Sequence, residues 1–242
     1  MGRKGKDTIE WRSVRLVPIL HNRMEFALEV RRQFEEFRPR HVAVEYPSTL
    51  SEPILAGVRR LPLLSVVHYQ ESDGAFLYLP LEPTDGQVEA LRLALEKGLP
   101  VHFVDRDTEG YPLDRSPMPD PYALTRIGHY LFCQAYLHAG RRASHSLEDE
   151  LREKTMAYHL QRLADAGEKV LFVCGLSHFP GLLEMLDQPQ TEVIGRRHRD
   201  KVGLAHLQRE RPELLVRRVA RRVVVGPLRR EGLRQEEVPR EG

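Results

Sequence analysis

The sequence predicts an α/β fold in which a mostly parallel central sheet is flanked by helices on both faces. Short apolar runs suited to strands alternate with stretches of helical period along most of the chain. Parallel neighbouring strands need a crossover helix between them, so this alternation favours a parallel sheet that is covered on both faces. The chain has 242 residues, of which 41% are hydrophobic, and this is enough for one sizeable core.

Periodicity and turn residues assign the elements of the first half. In order they are strand 14–20, a helix that ends before residue 39, strand 41–45, helix 48–60, strand 63–69, an irregular loop at 71–83, helix 86–97 and strand 101–104. Thr84 is the predicted N-cap of the helix at 86–97, because its hydroxyl can accept from first-turn N–H groups. Gly98 is the predicted C-cap, because glycine readily adopts the left-handed conformation there.

The second half begins with a long loop at 105–121 that contains four prolines. Loops of this length are often functional. The elements predicted after it are helices 121–138 and 146–166, strand 169–174, helix 182–186, edge strands 191–194 and 223–225, and a basic helix at 212–222.

Charge divides the chain near residue 195. Residues 1–195 carry 23 basic and 28 acidic side chains, whereas residues 196–242 carry 14 basic and 7 acidic ones. We therefore expect one α/β domain over 1–195 and a basic C-terminal extension over 196–242, with edge strands and a partly disordered tail. The extension lacks interleaved aromatic residues and any nucleic-acid motif, so nucleic acid is not an expected partner.

Several classes of protein are excluded by what the sequence lacks. No segment approaches the roughly 18 apolar residues of a membrane span, and the N-terminus lacks the apolar core of a signal peptide, so we expect a cytoplasmic protein without membrane contact. Cys133 and Cys174 are too few for a disulfide framework or a four-cysteine zinc site, and both are predicted to be buried hydrophobes. The chain also lacks P-loop, complete GxGxxG, HExxH and GxSxG motifs.

Four polar residues lie at or directly after predicted strand ends: His21, Glu45, Asp105 and His178. The carboxyl ends of parallel strands share one edge of a sheet, and open α/β folds bind their ligands there. Two imidazoles and a carboxylate are sufficient for a divalent metal site with open positions, or for activation of water without metal. We therefore predict an active site that contains these four residues.

Each of these residues also has a purely structural interpretation. His21 and His178 can simply terminate strands, and Glu45 can pair with one of the 31 arginines. Asp105 can belong to a local salt-bridge cluster with Arg106 that fixes the following loop. The sequence alone leaves these alternatives open.

Five short segments follow one another along the chain: Leu-His-Asn at 20–22, Pro-Arg-His-Val-Ala-Val-Glu-Tyr-Pro at 39–47, Phe-Val-Asp-Arg at 103–106, Arg-Glu-Lys-Thr-Met-Ala at 152–157 and Val-Cys-Gly-Leu-Ser-His at 173–178. In this order they resemble a known superfamily, which contains TraB/PrgY proteins, Tiki proteases, erythromycin esterases and ChaN haem-binding lipoproteins. Within the superfamily the sequence looks like an uncharacterised bacterial branch found near MoxR-type ATPases. The resemblance covers roughly residues 14–187 and implies an EreA/ChaN-like fold.

The resemblance also implies roles for individual residues. His21 and Glu45 match the first histidine and the glutamate of the family site, and His178 matches the histidine of the second Gly-x-x-His motif. These three residues are the implied ligands of a divalent metal such as Zn, Mn or Co, or they activate water directly. Arg152 matches the arginine of the preceding helix. The first motif departs from the pattern, because Pro18 occupies the position of its glycine.

The expected function is therefore hydrolysis of an ester or peptide bond in a small-molecule or peptide substrate. Arg152 is expected to stabilise an oxyanion or to clamp an anionic substrate, and its alternative role is an ion pair on the helix surface. Two other functions remain open at this point. One is a non-catalytic ligand-binding module, with haem as the example from the ChaN branch. The other is a regulatory docking protein that uses the basic extension, with a MoxR-type ATPase as partner.

Overall fold

The computed structural model describes residues 8–109, 118–139, 146–193, 195–196 and 198–206. The strands are β1 (Ile9–Trp11), β2 (Val14–Ile19), β3 (His41–Pro47), β4 (Ser65–Gln70), β5 (Phe76–Leu81), β6 (Val101–Asp105), β7 (Val170–Gly175) and β8 (Gly203–His206). The helices are α1 (Met24–Phe37), α2 (Ser51–Val58), α3 (Gly86–Lys97), α4 (Ala123–Ile127), α5 (His129–His138), α6 (Leu147–Asp165) and α7 (Phe179–Leu186).

The central sheet has five strands in the order β1-β2-β7-β3-β6. β2, β7, β3 and β6 run parallel, and β1 pairs antiparallel with β2. Every residue of β7 is buried, which explains why its sequence is apolar without alternation. The predicted α/β class and the mostly parallel sheet are confirmed, whereas the short strand β1 is not evident from the sequence pattern.

The strand predicted at 63–69 forms as β4, but it lies in a second sheet. This sheet is antiparallel, with three strands in the order β5-β4-β8. A short apolar run fits a parallel strand and an antiparallel strand equally well, so its sequence does not identify the sheet to which it belongs. The alternation of parallel strands and helices is therefore interrupted at this point.

The loop predicted at 71–83 is wrong for its second half, because this half is strand β5. β4 and β5 form a hairpin whose turn contains Gly74 at a φ of 84°. Pro80 and Pro83 favour a loop in the sequence. Pro80 is nevertheless compatible with β5, because β5 is an edge strand among the described residues and only alternate residues of an edge strand donate to the neighbouring strand.

The N-cap of α3 is Asp85, so the prediction of Thr84 is wrong. One carboxylate oxygen of Asp85 accepts from the N–H groups of Gln87 and Val88 at 2.8 and 3.3 Å. Thr84 instead donates its hydroxyl to Glu82. An ionised carboxylate at the N-cap also interacts favourably with the helix dipole, which a hydroxyl does much less.

The helix predicted at 121–138 is divided into α4 and α5. Gly128 separates them with a φ of 81° and a ψ of 161°, a conformation that glycine adopts without steric cost. Of the other helices, α1 packs with α3 and α6 with α7, whereas α2 packs mainly against β4. The two pairs place the N-terminal end of α3 and the N-terminal half of α6 near the carboxyl ends of the parallel strands.

The segment after residue 195 packs against the preceding part of the fold. The edge strand predicted at 191–194 is wrong for residues 191–193, which form no strand, and β8 pairs with β4 instead. The helix predicted at 212–222 and the strand predicted at 223–225 lie outside the described residues. Within the described ranges no helix is long and apolar enough to cross a membrane. Cys133 and Cys174 are buried free thiols, as predicted.

Candidate active site

The polar residues that follow the parallel strands lie at one edge of the central sheet. β2 ends two residues before His21, Glu45 lies in β3, Asp105 is the last residue of β6, and His178 follows β7 by three residues. Because β2, β3, β6 and β7 are parallel, their carboxyl ends meet at this edge. The structure therefore brings together residues that are more than 150 positions apart in the sequence.

Arg152 of α6 connects two of the carboxylates. Its Nη2 donates to Glu45 Oε1 and to Asp105 Oδ2, each at 2.7 Å, and its Nε lies 3.1 Å from both Asp105 oxygens. All three side chains are buried. A guanidinium remains charged even when buried and fits carboxylates through two parallel hydrogen bonds. The alternative of an ion pair on the helix surface is therefore wrong.

His178 lies between Glu45 and a further carboxylate, Glu153. Its Nε2 is 3.4 Å from Glu45 Oε1, and its Nδ1 is 3.2 Å from Glu153 Oε1. His178 is the N-cap residue of α7, and Gly181 follows in the first turn of that helix. A Cβ on Gly181 would lie 1.9 Å from Glu153 Oε2, so this glycine allows α7 to approach the buried carboxylate.

His21 is held in the same way by Asp85, the N-cap of α3. Its Nδ1 is 3.0 Å from Asp85 Oδ2, and the same oxygen accepts from the N–H of Asn22 at 3.1 Å. The side chain of His21 is 46% exposed, whereas that of Asp85 is buried. His21 therefore forms the solvent-accessible part of the site.

Gly175, the last residue of β7, lies at the centre of the arrangement. Its N–H donates to Glu45 Oε2 at 2.5 Å. A Cβ at this position would lie 3.3 Å from His21 Nε2 and 3.4 Å from Glu45 Oε2. His21 Nε2 and Glu45 Oε2 are thus close to the same point, and the lack of a side chain on Gly175 leaves room between them.

The charges around Glu45 favour its ionised form. Burial by itself would raise the pKa of Glu45, but the nearby His178 and Arg152 outweigh this effect and hold that pKa below its usual value. Burial raises the pKa of Asp105 in spite of the attraction of Arg152. Of the two carboxylates on Arg152, Asp105 is therefore the easier to protonate.

Both histidines of the site are surrounded by negative charge. Burial opposes protonation of His178, but the negative charge of Glu45 and the hydrogen bond that His178 donates to Glu153 outweigh it and raise the pKa of His178. Asp85 similarly outweighs desolvation and raises the pKa of His21 to about 9. Because nearly half of the His21 side chain is exposed, water screens part of this attraction.

Sequence reasoning misses Asp85 and Glu153. Asp85 follows the β4–β5 hairpin and not a strand of the central sheet, so the search for residues after parallel strands does not find it. The signal available for Asp85 is its position as an acidic residue directly before a helical pattern. Glu153 is adjacent to Arg152, and only the direction of α6 shows that both side chains face the site.

The described part of the chain contains no group of three or more His, Cys, Asp or Glu side chains already arranged to hold a metal ion. A scan against protein-family models, a search of curated proteins and a search of solved structures found no match to this chain. The functional assignment therefore depends on the chemistry of the site and on the resemblance of the sequence segments.

Proposed function

We propose that this protein is a hydrolase that activates water at His21, Glu45 and His178 and cleaves an ester or peptide bond. The observation that carries the proposal is the orientation of two imidazoles toward one buried carboxylate. His178 Nε2 lies 3.4 Å from Glu45 Oε1, and His21 Nε2 lies beside Glu45 Oε2 at the space above Gly175. A water molecule in this space would have proton acceptors and donors on several sides.

Exposure of the side chains indicates how water and substrate enter. The side chains of Glu45 and His178 are each 6% exposed, compared with 46% for His21. Substrate therefore approaches from the side of His21. Arg152 already binds Glu45 and Asp105, so its main role in the proposed reaction is to keep Glu45 ionised and in place. Stabilisation of an oxyanion is a secondary role for Arg152.

By residue type the donor set suits a divalent metal such as Zn, Mn or Co, and binding would require its side chains to rearrange, because the described residues contain no preformed metal group. Nε2 of His21, Nε2 of His178 and the Glu45 carboxylate are the residues that would hold it, and imidazole and carboxylate are suitable ligands for these ions. The carboxylates near the two histidines raise the pKa of both rings, so this part of the site favours positive charge, which a bound cation would also supply. When bound, such an ion would act as a Lewis acid and lower the pKa of water at the site.

The remaining parts of the proposal depend on the resemblance of the sequence segments. They are an EreA/ChaN-like arrangement of the fold and a MoxR-type ATPase as protein partner, and a cytoplasmic location is proposed separately, from the lack of a long apolar segment in the sequence. The mixed five-stranded sheet with its packed helices is compatible with the first of these.

The test combines turnover, metal content and thermal melting for the wild type and the variants His21→Ala, Glu45→Gln and His178→Ala. We expect the wild type to hydrolyse a member of a panel of generic esters and peptides, and each variant to lose about 100-fold or more of that turnover. His138→Ala, at an exposed position of α5, is the matched control and should keep full turnover. Hydrolysis that survives chelators but not these substitutions would indicate activation of water without metal.

The proposal fails if any one of the three variants retains the turnover of the wild type. It also fails if the wild type hydrolyses no member of the panel after loading with Zn, Mn and Co in turn. Haem binding, measured by absorption, would then favour the ligand-binding alternative. If the protein binds no haem, the docking alternative would be favoured.

A further inference from the structure

We propose that Asp85 and Glu153 are positioning residues that keep a proton on Nδ1 of His21 and of His178, so that both Nε2 atoms face Glu45. This inference deepens the proposed function and depends on it for its catalytic meaning. Each carboxylate binds the ring nitrogen directed away from Glu45, at 3.0 Å for His21 and 3.2 Å for His178.

The hydrogen bonds of Asp85 go beyond what a helix cap requires. Its Oδ1 accepts from two N–H groups at the start of α3, and its Oδ2 accepts from Asn22 N–H and contacts His21 Nδ1. Ser, Thr or Asn would serve equally well as a plain cap. Both carboxylate oxygens of Asp85 accept from backbone N–H groups. In an asparagine side chain an NH₂ group would replace one of these oxygens and would face a backbone N–H. Only a carboxylate can accept from both sides.

Glu153 of α6 is likewise placed to bind a histidine ring nitrogen. The side chain is fully buried beside His178, and Gly181 lies against its carboxylate with no room for a Cβ. A buried carboxylate is costly unless it is paired, and the contact with His178 Nδ1 supplies such a pair. α6 and α7 are thus packed so that this carboxylate meets this ring nitrogen.

Two unrelated elements therefore perform the same task. Neutral imidazole carries its proton on one nitrogen, and a hydrogen bond at that nitrogen determines which one. A carboxylate can only accept, so it selects the form with hydrogen on Nδ1 and leaves the lone pair on Nε2 for a proton of water or for a cation. The opposite form would direct an N–H of each neutral ring toward the water site and block this chemistry.

NMR spectra show directly which ring nitrogen of each histidine carries hydrogen. Two-bond ¹H–¹⁵N correlation spectra of chelator-treated, ¹⁵N-histidine-labelled protein distinguish hydrogen on Nδ1 from hydrogen on Nε2, and spectra of His21→Ala and His178→Ala assign the signals. They are recorded over a pH series that extends above the His21 pKa of about 9, so that the neutral rings are observed. In the wild type we expect hydrogen on Nδ1 of both rings. In Asp85→Asn and Asp85→Ser the His21 signal should move to the Nε2–H form, and in Glu153→Gln the His178 signal should do so. Asp85→Ser retains a helix cap and separates capping from positioning.

A second measurement concerns the cation. Titration with Co²⁺, followed by its visible absorption, should show affinity about 10–100-fold lower in Asp85→Asn and Glu153→Gln than in the wild type. Asp73→Asn, in an exposed turn, and Glu150→Gln, on the same helix as Glu153, are the matched controls and should bind like the wild type.

The outcomes separate this inference from the proposed function. A neutral ring with hydrogen only on Nε2 in the wild type, for either His21 or His178, overturns the inference. Unchanged ring signals in the carboxylate variants also overturn it. If the ring signals behave as expected but His21→Ala retains full turnover, the inference on positioning holds and the proposed hydrolase fails.

Discussion

At the scale of single residues, the main feature of the site is a group of charges that are buried together. Glu45, Asp105 and Arg152 are almost entirely enclosed, and the guanidinium of Arg152 stabilises both carboxylates through short hydrogen bonds. Buried ionic groups of this kind are costly to break, because the remaining partner keeps an uncompensated charge. Glu45 is also the carboxylate beside both imidazoles, so stability and the proposed chemistry both depend on it.

Arg152→Met should therefore affect stability strongly. The variant leaves Glu45 and Asp105 without their guanidinium, and we expect the free energy of unfolding to fall by about 3–5 kcal/mol, as for other broken buried pairs. Urea denaturation measures this change. Arg162→Met, at an exposed position of the same helix, should leave the urea midpoint nearly unchanged. Equal midpoints for the two variants would show that the buried pairs contribute little.

Gly175→Ala should affect activity more than folding. The new methyl group would lie 3.3 Å from His21 Nε2 and 3.4 Å from Glu45 Oε2, so these groups have to move apart by a few tenths of an ångström. We expect melting close to that of the wild type, with a clear loss of turnover and of metal binding. Turnover equal to that of the wild type would mean that the space above Gly175 is not where the reaction takes place.

At the scale of elements, helix α5 supports the strand that leads to His21. The first residue of α5 is His129. Its Nε2 lies 2.8 Å from the carbonyl oxygen of Pro18, and its Nδ1 lies 3.2 Å from the side-chain amide nitrogen of Gln33 in α1. Nε2–H then donates to the carbonyl, and Nδ1 accepts from the Gln33 amide. Burial lowers the pKa of His129, and the neutral ring fits both contacts.

This arrangement predicts a loss of stability in acid. Because the folded pKa of His129 lies below its unfolded value of 6.5, the unfolded chain binds a proton more readily, and stability falls as pH falls below about 6.5. The lowered pKa values of His102 and His159 also reduce stability as pH falls, whereas the raised pKa values of His21 and His178 increase it. Denaturation of the wild type and of His129→Gln at pH 7.5 and 5.5 isolates the contribution of His129. We expect a smaller loss in the variant, and an equal loss would contradict this explanation.

Elements also determine how much of the site the sequence predicts. His21, Glu45, Asp105 and His178 are found because each is at or near the end of an apolar strand, and parallel strands end at one edge. The β4–β5 hairpin is not found, because Pro80 and Gly74 favour a loop and because pairing between strands is not encoded locally. Asp85 follows this hairpin and is missed with it. Which of two adjacent helical residues faces a site likewise depends on tertiary packing.

At the scale of the whole molecule, a second buried ionic cluster connects the segment after residue 195 to the rest of the fold. The guanidinium of Arg199 is fully buried and binds Asp107, Glu71 and the carbonyl oxygen of Thr108, and it lies 4.2 Å from the ring of Tyr69. Asp107 is only two residues beyond Asp105, so this cluster also fixes the loop that follows the site strand β6.

Arg199→Met should thus destabilise the fold although it lies outside the site. It would leave Asp107 and Glu71 buried without their main cation, with an expected loss of about 3–5 kcal/mol in the free energy of unfolding. Arg196→Met is the matched control, because Arg196 contacts Glu71 from a more exposed position and its loss should cost much less. Equal effects of the two substitutions, measured by urea denaturation, would contradict the role of burial in this cluster.

The most direct test of the central claim is the turnover of Glu45→Gln relative to the wild type on the first ester or peptide that the wild type hydrolyses. The substitution keeps the shape of the side chain but removes the charge that His21, His178 and Arg152 surround. The proposed water-activating site predicts a loss of about 100-fold or more, with folded protein confirmed by circular dichroism. Turnover of Glu45→Gln within a factor of two of the wild type would contradict the claim that this edge of the sheet is a hydrolytic site.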